Sequence, residues 1–332
     1  MQFFPPAMNR RPVSRRRRSS PQTRGNERSF LARGLPIFVC LSVCLTTGCD
    51  SPRPRVDRSA PPTQTIVDGL GREVTLPAAP QRIVSLAPNV TETLFALGAG
   101  DKVVGVTSYC DYPAEATTRE KVGDTLSPNL ERIVGLRPDL VIVSTASQLE
   151  SLTRRLTDLS IPVFVSHSRT VREILESIRQ LGAATGQKEA AAELVREMSD
   201  RLDRVETRVA RLPRIRVLYV LQTQPLISVG GDTFLHDLIR MAGGESITAT
   251  EAGYPQFSLE TVLARAPEVI LFPASHGEGQ LEATTIRQLL ATTPAVRSNR
   301  LARINPDWAN RPGPRIVEAL EQFAQAIHPE SP

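Results

Sequence analysis

Between residues 187 and 212 the chain runs 26 residues without a glycine or a proline. Leu194, Met198, Leu202, Val205, Val209 and Leu212 fall there at spacings of 4, 4, 3, 4 and 3. That rhythm is one apolar stripe on one amphipathic helix. A helix over 187–212 would be about 39 Å long at 1.5 Å per residue, long enough to cross from one domain to another. The flanking segments both alternate strand and helix signals. Before it, a hairpin is expected at 65–67 and 73–76. Strands follow at 83–86, 103–106, 140–143 and 163–165, with helices at 91–97, 130–136, 148–159 and 171–185. After it, strands are expected at 217–221, 226–229, 269–272 and 301–304. The helices there are 233–242, 259–264, 284–291 and 314–327. Such alternation builds a parallel sheet covered by helices on both faces.

The two flanks also echo each other. Residues 129–143 read NLERIVGLRPDLVIV and residues 258–272 read SLETVLARAPEVILF. Offset by 129 positions, they share Leu130 with Leu259, Glu131 with Glu260 and Pro138 with Pro267, and Asp139 faces Glu268. Helix, breaker and strand coincide in both copies. The expected fold class is α/β, two lobes of one architecture bridged by a single long helix. The boundaries read 64–186, 187–212 and 213–332.

Residues 1–48 read as an export signal rather than fold. Nine arginines and one acid precede an uncharged apolar run at 35–45. Eleven residues are too few to span a bilayer as a helix, which takes roughly 20. A basic stretch, a short apolar run and small residues are the layout of a secretory signal. Met8 is a second candidate start. The run ends in Leu45-Thr46-Thr47-Gly48-Cys49, which resembles a bacterial lipobox, with threonine where leucine is usual. Cys49 is the expected lipidation site, and 49–63, rich in Pro, Ser and Arg, the flexible tether. Removing the signal leaves 31 basic and 34 acidic residues, a net of −3. The formal +5 of the full chain is therefore no sign of a nucleic-acid groove. Cys40 and Cys44 leave with the signal and Cys49 carries lipid, so Cys110 is the one cysteine of the body. It is expected as a small half-buried hydrophobe, with no disulfide.

No Gly-x-Ser-x-Gly or Walker loop occurs. Gly98-Ala99-Gly100 follows a helix and reads as its C-cap. The histidines, His167, His236, His276 and His328, show no pair at metal-ligand spacing, and no metal is expected. His276 follows a strand and is a candidate ligand contact. The scarce aromatics are more informative. Tyr109 and Tyr112 follow strand 103–106, Tyr254 and Phe257 precede the second echo, and Trp308 follows strand 301–304. Open α/β sheets bind ligands at the carboxyl ends of their strands. Aromatics there in both lobes predict a shared cleft for a large, partly apolar ligand.

Four stretches carry a family resemblance: RIVSLAPNVTETLFAL at 82–97, VGVTSYCDYP at 104–113, residues 129–143, and the tail 305–327 with Asp307-Trp308 before Pro314-Arg315. The chain resembles the periplasmic binding proteins of vitamin B12, siderophore and haem ABC importers over roughly residues 65–329. Ser108-Tyr109 with Asp111-Tyr112-Pro113 is most similar to the cobalamin-binding branch. The resemblance implies two Rossmann-like lobes on one long helix and a non-enzymatic carrier. It implies cobalamin as transported ligand, no intrinsic cofactor, and delivery to a permease dimer with its ATPase subunits. A lipid-anchored monomer at the periplasmic or outer cell surface is expected. The expected ligand contacts are Tyr109, Asp111, Tyr112, Tyr254, Phe257, His276, Asp307, Trp308 and Arg311. Glu131 and Glu260 match the family's paired permease-docking acids. Two alternatives stay open: haem or a ferric siderophore on the same fold, with Tyr109, His276 or Arg311 as contacts, and a surface-tethered α/β enzyme.

Overall fold

The computed structural model describes residues 62–144, 150–273 and 279–330, the side chains of 279–281 excepted. The expected signal, Cys49, nearly all of the expected tether and His276 lie outside the described residues. An antiparallel hairpin opens the fold, β1 (Thr63–Val67) against β2 (Glu73–Pro77), with Ile66 opposite Val74. The first strand thus begins at Thr63, a residue inside the expected tether.

Five parallel strands follow: β3 (Ile83–Ser85), β4 (Val103–Val106), β5 (Glu120–Lys121), β6 (Leu140–Val143) and β7 (Val163–Val165). Their order across the sheet is β5-β4-β3-β6-β7. β3, β6 and β7 are buried throughout, as unbroken Ile/Val/Leu/Phe-rich runs covered on both faces must be. Helices α1 (Pro88–Ala96), α2 (Leu130–Gly135), α3 (Glu150–Asp158) and α4 (Val171–Thr185) connect and cover them. α1 starts three residues before the expected helix, because Pro88 takes the first helical position, where a missing N–H costs nothing.

The bridging helix α5 is Lys188–Val209, shorter than 187–212. Gly186, left-handed at φ 73°, ends α4 just before it. At the far end Pro213 disfavours helix in the residue preceding it. The buried stripe also differs: it is Ala191, Val195, Met198, Leu202, Val205 and Val209, with Leu194 and Leu212 only partly buried. Arg201 of α5 reaches into the second lobe, to Glu318 at 2.9 Å and Glu321 at 2.9 Å.

The second lobe begins with β8 (Ile215–Tyr219), a small antiparallel pair β9 (Gln222–Thr223) and β10 (Leu226–Ile227), α6 (Phe234–Met241) and β11 (Gly244–Ser246). It continues through α7 (Leu259–Arg265), β12 (Val269–Pro273), α8 (Gly279–Leu289), α9 (Pro294–Arg297) and β13 (Leu301–Ile304), then α10 (Pro306–Ala309) and α11 (Ile316–Ile327). The parallel sheet runs β11-β8-β12-β13. The strand expected at 226–229 belongs to the small pair, not to this sheet. β5 and β11 are too short to show a period in the sequence. One apolar cluster passes through both lobes by way of α4, α5, α6 and α11, and a separate cluster backs the outer face of each sheet. No described helix is long and apolar enough to cross a membrane.

Candidate functional site

The carboxyl ends of strands from both lobes meet at a cavity of about 450 Å³. Ala87–Asn89 after β3, Ser144 after β6 and Ser166–Arg169 after β7 line it from the first lobe. Asp232–Phe234, Gly253-Tyr254, Asn310 and Pro312 line it from the second. This is the position at which a doubly wound sheet opens a crevice. Eight of its sixteen lining residues carry hydroxyl or amide side chains, set in a mainly apolar surface. Asn310 is held from behind: the Tyr219 hydroxyl donates to its Oδ1 at 3.3 Å. Tyr219 is buried and stacks on Phe323 with centroids 5.8 Å apart. Burial pushes its phenol above the ordinary range.

An ionic cluster crosses between the lobes beside the cavity. Glu92, in the middle of α1, is buried, its side chain only 2% exposed. Its Oε1 accepts from Arg311 Nη1 at 3.0 Å and from Arg315 Nη2 at 2.6 Å, and its Oε2 accepts from Arg315 Nε at 2.8 Å. Arg311 also donates to Asp111 at 2.7 Å and pairs with Asp307 at 2.9 Å. The Arg311 hydrogen bond, and then its charge, hold the Asp111 carboxyl below the usual carboxylate range against the effect of burial. Burial works against the charge on Arg311, but Asp111 and Glu92 more than offset it and raise its pKa. Arg315 lies over the Tyr112 ring, 4.0 Å from its centroid, within cation–π range.

The expected contacts divide into several groups. Tyr254 lines the cavity, 55% exposed. Asp111, Tyr112, Asp307 and Arg311 gather in the ionic cluster at its border. Tyr109 stands on the same loop as Asp111 and Tyr112, 59% exposed. Trp308 is half-buried against the central apolar cluster, next to Asp307, and does not line the cavity. Phe257 corrects the sequence reading: it is 8% exposed and packs in the second lobe's outer cluster with Leu226, Val262 and Phe272. Its partner is the guanidinium of Arg265, 5.5 Å from the ring centroid. Successive side chains of an extended segment point to opposite faces, so a one-residue step decides which way a ring turns, and Phe257 takes the core side. His167 lines the cavity, although no local pattern singles it out from the other histidines. Cys110 is fully buried rather than half-buried, its Sγ 3.2 Å from the hydroxyls of Thr91 and Thr107.

Sequence reasoning missed Glu92, Asn89, Asp232, Arg169 and Asn310. An acid amid the apolar positions of 91–97 was the available signal for Glu92. The strand-end rule that selected the aromatics applies equally to Asn89 and to Ser166–Arg169.

Glu131 and Glu260 stand away from the cavity. Both are exposed in the first turn of α2 and α7, and neither makes an ion pair among the described residues. No group of three or more His, Cys, Asp or Glu that could hold a metal ion gathers among the described residues.

Known proteins share this fold. The sequence profile of the family described as periplasmic binding protein matches residues 83–308. A vitamin B12-binding protein of Vibrio parahaemolyticus is 34% identical over 248 residues, spanning 73% of this chain and 89% of its own. The crystal structure of the periplasmic vitamin B12 binding protein BtuF of Vibrio cholerae has a TM-score of 0.67 and 32% identity, covering 75% of this chain and 96% of that one. The periplasmic heme-binding protein RhuT from Roseiflexus sp. RS-1, in apo form, has a TM-score of 0.67 and 26% identity, covering 75% and 99%. Profile, relatives and fold agree over the same span, and the chain belongs to the periplasmic binding protein family.

Proposed function

We propose that this chain is the substrate-binding component of an ABC importer and that it captures a corrinoid, cobalamin above all, between its lobes. The carrying observation is the character of the cleft. Its lining is rich in hydroxyls and amides, and three exposed tyrosines stand on it or on the adjoining loop. The arginine at its border is already neutralised by Glu92, Asp111 and Asp307. A corrinoid offers a broad apolar ring edged with amides, which suits tyrosine faces and neutral hydrogen-bonding groups. A dianionic haem or an anionic siderophore needs free cations instead. One observation favours that second reading: Arg169 is exposed at the cavity, and its guanidinium has no partner among the described residues.

On this reading Glu131 and Glu260 dock the protein on a permease dimer that carries ATPase subunits, and Cys49 anchors it to the membrane by lipid after export. The protein acts as a monomer and carries its ligand without chemistry on it. The test is the visible absorption spectrum of the protein purified from cells supplied with cobalamin. Corrinoid bands are expected. A Soret band or a ferric charge-transfer band would replace this reading with the second.

A further inference from the structure

We infer that Glu92 is a positioning residue of the cleft: from the first lobe it clamps Arg311 and Arg315 of the second, and so sets the gap between the lobes and the place of the guanidinium at its border. For ligand binding, this inference rests on the function proposed above.

Asp68 and Glu92 are the two buried carboxylates among the described residues. Asp68 has a local reason, since it closes the β1–β2 turn and pairs with Arg72 four residues on. Glu92 has none. It stands mid-helix among the buried residues Val90, Thr91, Thr93 and Leu94. Its partners lie 219 and 223 positions away in the chain. A buried charge is tolerated only when paired and hydrogen-bonded. Both carboxylate oxygens are used, and three N–H groups from two arginines are needed to satisfy them. Sliding the lobes apart would strand the carboxylate and both guanidinium groups.

The clamp is continuous with the cavity wall. Asn89, one turn earlier on α1, lines the cavity and donates from Nδ2 to the Pro312 carbonyl at 3.2 Å. Residues 311–315 are thereby fastened to α1 at three points, Arg311 and Arg315 on Glu92 and the Pro312 carbonyl on Asn89. Two consequences follow for the cleft. Arg311 Nη1 is shared between Glu92 and Asp111, which fixes the plane of its guanidinium. Arg315, held by Glu92, backs the Tyr112 ring. Glu92 does not line the cavity itself, so its influence on a ligand passes through Arg311 and through Arg315 to the Tyr112 ring.

A double-mutant cycle tests this. Cyanocobalamin affinity is measured for the wild type, Glu92→Gln, Arg311→Met with Arg315→Met, and all three substitutions together. Glu92→Gln is expected to weaken binding on the order of tenfold, and to add less than about twofold once both arginines are methionine. Nitroxide labels on exposed positions of the two lobes report their separation in ligand-free protein, and Glu92→Gln is expected to broaden that distribution. Should Glu92→Gln fail to fold, Glu92→Asp keeps the charge but is one methylene too short for both arginines, and it enters the same cycle. Losses that multiply independently, or lobe distances identical to the wild type, would overturn the inference. If the wild type binds no cobalamin, the proposed ligand is wrong, while the distance measurement still decides the role of Glu92.

Discussion

In the first lobe Asn129 caps α2 by accepting from the Arg132 N–H, and in the second Ser258 caps α7 by accepting from the Thr261 N–H. Each helix then carries an exposed acid, Glu131 or Glu260, and ends at a left-handed residue, Arg137 at φ 48° or Ala266 at φ 46°. Asp139 accepts from the Arg82 N–H, and Glu268 accepts from the Arg216 N–H. The two arginines return the favour by donating Nε to the closing carbonyls of the helix ends, Leu136 in one lobe and Ala266 in the other. The echo in the sequence is thus a repeated device, down to its hydrogen bonds. The cleft faces show the opposite. The first lobe brings carboxylates, Glu92 and Asp111, and the second brings the arginines that meet them. A repeated edge suits a partner with two equivalent sockets. Complementary faces suit closure around one asymmetric ligand. Under the proposed function these are two separate tasks for one molecule, and each can be disturbed without the other.

The largest expected effect separates core from cleft. Phe257→Ala empties a packed position in the second lobe, and denaturant unfolding is expected to show a loss of about 3–5 kcal/mol. A loss under about 0.5 kcal/mol, the usual size at surface positions, would return Phe257 to the exposed cleft. Next, the combined Glu131→Arg and Glu260→Arg variant breaks the repeated edge alone. Transport in reconstituted vesicles is expected to fall roughly a hundredfold, because like charges meet at the permease, while cobalamin affinity holds. Each single variant is expected to lose part of the activity. A fall in affinity would mean that edge and cleft are coupled. Tyr254→Ala disturbs the cleft alone: cobalamin affinity is expected to drop about tenfold from the lost aromatic contact, with stability unchanged.

The smallest effect is electrostatic. The folded-state pKa of Asp111 is depressed below 3.8, first by its hydrogen bond from Arg311. Its contribution to stability is therefore present above pH 3.8 and lost as pH falls through the lower folded value. Asp111→Asn is expected to differ from the wild type above that window and to match it below. Asp111 is more than half exposed, so the difference will be small and will shrink with salt. Unfolding midpoints of both proteins across pH measure it.

The sequence disclosed the repeated edge more fully than the cleft, for a physical reason. The edge is local: cap, acid, breaker and strand lie within fifteen residues, and each leaves a mark in residue type and spacing. The bridging helix was legible for the same reason, although its ends were set by Gly186 and Pro213, beyond the stripe itself. The cleft is assembled from strand ends far apart in the chain. The scarcity of aromatics points to Tyr254, which lines the cavity, and equally to Phe257, which does not, because scarcity does not say which way a ring turns. Glu92 could not be placed by any local pattern, since its partners are in the other lobe.

On the proposed function, one corrinoid enters between the lobes. Trp308 is the chain's single tryptophan and sits beside Asp307 in the segment that carries Arg311. Titration of the purified protein with cyanocobalamin, followed by tryptophan emission and visible absorbance, with haemin run in parallel, tests the claim directly. Saturable binding at one cobalamin per chain is expected, with quenched emission and only weak uptake of haemin. Saturation by haemin, with no response to cobalamin in either signal, would contradict it.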